Sequence, residues 1–313
     1  MPRSDALRSV PAGLSPGGRY ADWDPQPPGL VALDVDGTLV EDVDVPAPEL
    51  LAAIADLVDR GVLVGLATGR MASATDRILS TGVLSGPHVF HNGAMVSDGE
   101  GTEQHVAGLS DADVDAVLAF GRGRDDLAVE VYVGATYLAD RADPRSRPHV
   151  DLLGVAPSGV VRSSADLGGR PAVKAVVVCF APTLTAEVEA AVRALGLEPG
   201  PAASPATPGL RYVNVTRRGV DKGHGVAAAA RVAGVPLGRV AFVGDERNDL
   251  PALALAGTAV AMGGSPAEVR AAAHLVAPPF AEGGTAVALA ALAALAGHGV
   301  DGTGDPQRAP GTW

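Results

Sequence analysis

The stretch Val31-Ala32-Leu33-Asp34-Val35-Asp36-Gly37-Thr38-Leu39-Val40 constrains this chain more than any other. Its apolar opening reads as a buried strand that stops at Asp34. Side chains alternate along a strand, so Asp34 and Asp36 leave on the same side, and Gly37 permits a sharp turn directly afterwards. Two carboxylates at the end of a buried strand repel each other and lose hydration unless a cation sits between them. Oxygen ligands of this kind suit Mg²⁺. Three readings fit the stretch taken alone. An Asx-turn closing the strand accounts for one of the aspartates. A metal-binding loop is a second reading, although the further acidic positions and closing Glu of an EF-hand are missing. A phosphoryl-transfer site is the third, with one carboxylate attacking phosphorus while the other handles protons.

The 313 residues have room for one large domain or two modest ones, and with 4% aromatics the cores must be built from Ala, Val and Leu. A net charge of −12 argues against nucleic acid and anionic membrane as partners. An anionic substrate therefore needs local positive groups or a metal. Only two of the 24 basic residues are Lys, Lys174 and Lys222, which makes each worth asking about. A compact ammonium on a slim stem suits a tight phosphate pocket better than the planar fork of Arg. The single cysteine, Cys179, lies in a strand-like run and reads as a buried hydrophobe, consistent with a reducing compartment. The N-terminus has no signal-peptide core, and the apolar run Thr285 to Leu295 is short and rich in Ala, so a packed helix is expected there rather than a membrane span. The cytoplasm is the expected location.

Along the chain, residues 1–28 are rich in Pro, Gly, Ser and charge and read as a disordered leader. A helix is predicted from Pro48 to Val58 and a buried strand from Val62 to Ala67, which makes a strand–helix–strand unit and hence a parallel sheet. That strand ends in Thr68-Gly69-Arg70, a strand-to-helix turn whose hydroxyl and free N–H groups form an anion site. A third strand ends at His91-Asn92-Gly93; the i, i+3 spacing of His88 and His91 invites zinc, but no second pair follows. The texture then changes to mixed helices and paired strands over 95–208, closing in a Pro/Gly/Ala linker from Pro199 to Gly209. The fold class expected is α/β: a doubly wound, parallel-sheet (Rossmann-like) core at 29–94 and 209–297, with an inserted α+β cap at 95–208 and a loose tail at 298–313.

The presumed parallel strands collect Asp34 and Asp36, Thr68, Asn92, and the run Asp245, Asn248 and Asp249 at their carboxyl ends, the edge at which open α/β sheets bind ligands. Asp34, Asp36 and Asp245 could supply oxygen ligands to one Mg²⁺, with Asp249 acting through water or serving as a helix N-terminal carboxylate. Lys222 begins a predicted helix, where its charge opposes the dipole unless an anion is present.

In that order, Asp34-Val35-Asp36-Gly37-Thr38, Thr68-Gly69-Arg70, Lys222-Gly223 and Gly244-Asp245-Glu246-Arg247-Asn248-Asp249 resemble the four motifs of the haloacid dehalogenase-like phosphatases. The resemblance is to their Cof-type branch, whose large cap follows the second motif, and it covers roughly residues 29 to 297. It implies that Asp34 is the nucleophile and that Asp36 protonates the leaving alcohol, activates water and offers its carbonyl to the metal. It implies that Thr68 and Lys222 hold the phosphoryl group, with Gly37, Gly69, Arg70, Asn92, Gly93 and Asn248 around the phosphate or substrate. Asp245 and Asp249 join Asp34 and Asp36 in the metal set. One departure stands at Met262-Gly263-Gly264, where many relatives carry Met-Gly-Asn. The cap shows no transferable motif, and Tyr132, Arg147 and Arg170 read there as structural or solvated rather than substrate-reading. The expected activity is Mg²⁺-dependent hydrolysis of a small-molecule phosphate ester. A phosphomutase using the same aspartyl-phosphate and a non-catalytic binding protein are the alternatives.

Overall fold

The computed structural model describes residues 9–41, 45–202 and 207–297. In chain order the elements are β1 (Ser15–Pro16), β2 (Leu30–Leu33), α1 (Pro48–Asp59), β3 (Leu63–Leu66), α2 (Asp76–Leu79), β4 (His88–Phe90), β5 (Met95–Ser97) and β6 (Glu103–Val106). There follow α3 (Asp111–Gly121), β7 (Leu127–Val133), β8 (Thr136–Ala139), α4 (Arg147–Leu153), β9 (Lys174–Cys179), α5 (Thr185–Ala194), β10 (Glu198–Ala202) and β11 (Arg211–Thr216). The chain closes with α6 (Lys222–Val232), β12 (Val240–Gly244), α7 (Leu250–Leu255), β13 (Thr258–Ala261), α8 (Ala267–Ala272), β14 (Leu275–Val276) and α9 (Gly284–Gly297).

The core sheet runs β1-β14-β13-β12-β2-β3, parallel except for β1. Apart from β1 and Thr258 its strand residues are apolar, because both faces are covered. Val31, Leu33, Val64, Ala241 and Val243 face α1 and α9. The alternate residues Leu30, Ala32, Val240 and Phe242 face α6, α7 and α8. The doubly wound layering expected from the sequence is therefore present. After β2 the chain builds β3 on one side and, on its return, β12 on the other. The crevice between the carboxyl ends of β2 and β12 is thus the switch point at which such sheets open to ligands.

The second sheet, β10-β11-β9-β7-β8, is antiparallel. Period-two alternation divides it. Val129, Val131, Val177 and Val213 turn outward under α3 and α5, with buried Cys179 among them. Ala128, Tyr132, Val176 and Tyr212 form the inner face, which packs with Met71 of the core. Helix α3 begins where Ser110 closes a reciprocal capping box with Asp113.

Three boundaries differ from the sequence reading. Residues 9–28, expected as a disordered leader, form a strap along the core: β1 covers the open edge of β14, Arg19 Nη1 donates to Leu253 O at 2.9 Å, and Trp23 is buried with Nε1 donating to Thr258 Oγ1 at 3.2 Å. Residues 1–8 and the tail at 298–313 lie outside the described residues. The segment from Pro199 to Gly209, expected as a linker, supplies strand residues through Ala202, and β11 belongs to the cap sheet rather than to the core. Residues 95–106 form a hairpin on β4, so they extend the three-stranded β4-β5-β6 sheet beside the core instead of opening the cap sheet.

Trp23→Ala should cost about 3–5 kcal/mol of unfolding free energy in urea melts, the usual penalty for emptying a buried aromatic site. A dispensable leader would show no change.

Candidate active site

Asp34 follows the last residue of β2, and its N–H still donates to Val243 O of β12 at 2.9 Å, which continues the sheet one residue past the strand. Its side chain turns inward and is 5% exposed. Gly37, directly after Asp36 in the turn, has φ +79°, and a Cβ there would stand 2.2 Å from Asp245 Oδ2. The first and fourth motifs therefore touch, and glycine is the residue that lets them. Thr38 Oγ1 donates to Asp245 Oδ1 at 3.4 Å, and Thr38 O accepts from Thr285 of α9.

Lys222 enters from the start of α6, capped by Asp221, whose carboxylate accepts from His224 N at 2.8 Å. Its side chain is fully buried; Nζ donates to Asp34 Oδ1 at 2.7 Å and also to Asp249 Oδ1. The anions that justify a lysine at a helix start are thus these two carboxylates. The second oxygen of Asp249 accepts from the N–H groups of Asp245 (2.8 Å) and Glu246 (2.9 Å). Asp249 consequently ties Lys222 to the loop after β12, and both of its oxygens are engaged.

Oxygens of Asp34, Asp245 and Asp249 lie within 4.8 Å of one another. One ammonium faces three carboxylates. Burial, then the charge of Asp249 and that of Asp245, push the Asp34 carboxyl well above its ordinary range, against the pull of Lys222. Burial and the Asp249 charge raise Asp245 to about 6. Burial opposes the charge of Lys222, but Asp34 and Asp249 outweigh it and hold its pKa above normal. The site thus keeps negative charge that its own cation does not neutralise. Hard oxygen donors with that deficit fit a hard divalent ion such as Mg²⁺. Asp34 and Asp245 are the carboxylates of the cluster that could hold it.

The remaining predicted residues frame this cluster. Thr68 is fully buried at the end of β3, its N–H donating to Val89 O at 2.9 Å and its Oγ1 accepting from Arg70 N at 3.1 Å. The Asp36 carboxylate is not in the acidic cluster. It turns outward, where Arg70 grips it with Nη2 at 2.5 Å and Nε at 3.1 Å. Arg70, expected on phosphate, is therefore engaged with Asp36. Gly69 lies against the Asn92 side chain, and Asn92 Oδ1 accepts from Asn248 Nδ2 at 3.1 Å, which joins the second and fourth motifs. Gly93 has φ +100° and leaves no room for a Cβ, 1.9 Å from Asp221 O. His88 and His91 do not form a metal pair, since His88 Nδ1 accepts from Leu66 N at 3.2 Å inside the core. Gly264 faces open space, so nothing among the described residues demands glycine at that departure. Thr38 and Thr285, which brace Asp245, were not singled out by residue type or spacing; only the position of Thr38 inside the first motif hinted at it.

The sequence model of the haloacid dehalogenase-like hydrolases matches residues 31–289. The chain belongs to that family. Among relatives of this hydrolase are proteins described as HMP-PP phosphatases. That of Serratia proteamaculans (strain 568) is 26% identical over 234 residues, 75% of this chain and 83% of the relative. That of Cronobacter sakazakii (strain ATCC BAA-894) is 28% identical over 234 residues, 75% and 84% respectively. The fold is shared with a phosphatase of the superfamily from Bacteroides thetaiotaomicron (TM-score 0.70, 22% identity, 90% of this chain and 98% of that one). It is shared too with a subclass IIB sugar phosphatase (TM-score 0.68, 22% identity, 83% and 97%). The hydrolase is thus of the Cof type that its motifs suggested. No helix among the described residues is long and apolar enough to cross a membrane.

Lys222→Met should destabilise the protein by about 3–5 kcal/mol in denaturant melts, because it leaves buried carboxylates uncompensated. Loss of the ammonium raises the Asp34 pKa further. A carboxyl whose folded-state pKa is raised costs stability progressively as pH rises above its unfolded value, so the deficit should grow as pH rises above the ordinary carboxylate range. A deficit independent of pH would contradict this charge balance.

Proposed function

We propose that this hydrolase is a Mg²⁺-dependent phosphatase that acts on a small phosphorylated metabolite, such as a sugar phosphate or a cofactor phosphate, through an aspartyl-phosphate at Asp34. The observation that carries the reading is the placement of Asp34: at the switch point of the core sheet, with Lys222 on one oxygen and Asp245 alongside. The names of the curated relatives, HMP-PP phosphatases, support a phosphate or diphosphate ester as substrate.

In this reading an oxygen of Asp34 bonds to phosphorus as the bond from phosphorus to the leaving oxygen breaks. Asp36, which takes up a proton from solvent as it exchanges Arg70 for the substrate, gives that proton to the departing alkoxide. It then takes a proton from the water that cleaves the aspartyl-phosphate, which releases inorganic phosphate and restores Asp34. Lys222 keeps Asp34 oriented and supplies positive charge beside the transferring group, while the Thr68 hydroxyl and the Gly69 N–H receive phosphoryl oxygens. Mg²⁺ held by Asp34 and Asp245 would neutralise the charge of the phosphoryl oxygens. In this reading the leaving group enters on the exposed side of Asp36, and Arg70, its ion-pair partner, acts as a positioning residue for it.

Release of phosphate from p-nitrophenyl phosphate with Mg²⁺ tests the proposal. Asp34→Asn should abolish turnover, and Asp36→Asn should lower kcat by about 10²–10⁴-fold, the usual range for loss of a general acid–base. Full activity in pure Asp34→Asn protein would overturn the nucleophile assignment.

A further inference from the structure

The second lysine of the chain is also buried, and no step of the proposed reaction uses it. Lys174 opens β9 on the inner face of the cap sheet, in register with Tyr132 of β7. It is 7% exposed, and its only hydrogen-bond acceptor among the described residues is the neutral Asn214 Oδ1 at 2.8 Å. The ammonium also lies 4.9 Å from the centroid of the Tyr132 ring. Two of its three donors therefore have no acceptor among the described residues. The acid Glu130 acts on Lys174 from this face, but both of its oxygens are engaged: Oε1 lies 3.1 Å from His149 Nδ1, and Oε2 accepts from Tyr132 Oη at 3.0 Å. Burial lowers the Lys174 pKa to about 8, against the attraction of Glu130.

Across the seam stands His91, fully buried, with neither ring nitrogen hydrogen-bonded among the described residues. Its backbone sits at φ 52°, the left-handed region, followed by Asn92 at φ 54°. A strained non-glycine pair of this kind persists only where its surroundings impose it, and such pairs cluster at functional sites. The His91 ring meets the Tyr132 ring edge-on at 5.9 Å. Burial, assisted by the charge of Lys174, keeps it neutral. His91 also belongs to the catalytic loop. Its N–H donates to Arg70 O, and the N–H of Asn92 donates to Thr68 O, both at 3.0 Å. Unmatched polar groups from cap and core thus flank the Tyr132 ring, and the core member is tied through its backbone to the Thr68–Arg70 turn, which on the phosphatase reading holds the ester.

Resting on the phosphatase reading, we propose that Lys174, with His91 opposite, forms a leaving-group subsite that takes an anionic substituent of the substrate, a carboxylate or a second phosphate. Buried, unmatched donors discriminate strongly, because a substrate without the matching acceptor leaves them unpaired. In a chain of net charge −12, such a subsite also supplies the local positive charge that a doubly anionic ester requires.

The test is a ratio of kcat/KM values within pairs of esters that differ in the anionic group: 3-phosphoglycerate against glycerol 3-phosphate for the carboxylate, and fructose 1,6-bisphosphate against fructose 1-phosphate for the phosphate. The native enzyme should favour the anionic member of at least one pair, and the preferred pair identifies the substituent. Lys174→Met should collapse that preference by roughly 10- to 100-fold, chiefly through KM, as expected for a charged hydrogen bond. A general folding defect cancels in the ratio. If Lys174→Met is insoluble, Lys174→Gln, which keeps a donor for Asn214, carries the measurement. A preference that survives either variant, or no preference in the native enzyme, overturns the subsite. If the native enzyme hydrolyses no ester at all, the phosphatase reading fails instead. The subsite is then judged by calorimetric titration with the same pairs: discrimination lost in Lys174→Met upholds it, and equal binding rejects it.

Discussion

Lys222 brings one positive charge into a pocket that already holds Asp34, Asp245 and Asp249, and the carboxyl edge of the core sheet is arranged around that imbalance. The lysine needs Asp34 and Asp249 to remain charged in a fully buried position, and the aspartates need more positive charge than it provides. Asp249 settles part of the conflict by accepting two backbone N–H bonds from its own loop, which fixes Asp245 beside Asp34. Gly37 permits the closest approach, and Thr38 and Thr285 brace it from the α9 side. Buried ion clusters of this type contribute little net stability, but they are costly to break. Here the cluster fixes the orientation of the Asp34 carboxylate, with Lys222 on one of its oxygens.

A similar tension governs the relation of core and cap. The sequence of the cap sheet alternates strictly, and its outward face is plain Val packing under α3 and α5. Its inward face mixes Tyr132, Lys174, Glu130 and Asn214 with apolar residues, which a purely structural sheet has no reason to bury. The core residues packed with that face lie just after β3, at Met71 and Ala74, and at His91 in the loop after β4. The inner face of the cap sheet therefore packs against the stretches that follow Thr68 and Arg70 and precede Asn92.

Much of this was legible in the sequence. The apolar runs of β2, β3 and β12 end in the chemically distinctive groups Asp34, Thr68 and Asp245, and strand periodicity with the switch-point rule suffices to converge them. What was illegible depended on distant partners. The strap at 9–28 is rich in Gly and Pro, and its order comes from backbone bonds to residues 270–274 that composition cannot reveal. Strand β10 contains Pro199 and Pro201, which read as linker; they are tolerated because β10 is the edge of its sheet. The β5–β6 hairpin is short and polar, and only its register with β4 defines it. At the site, the family resemblance implied Arg70 near phosphate, and the residue pattern suggested Asp36 for the metal. The three-dimensional arrangement pairs them with each other because both side chains leave adjacent strand ends on the open side.

The most direct test of the account is a crystal structure grown with Mg²⁺ and beryllium fluoride, which mimics a phosphoryl group on a carboxylate. The account predicts beryllium bonded to an oxygen of Asp34, Lys222 beside the fluorides, and the metal ion between Asp34 and Asp245. Beryllium on Asp36 or Asp245, or a metal ion bound away from this cluster, would contradict it.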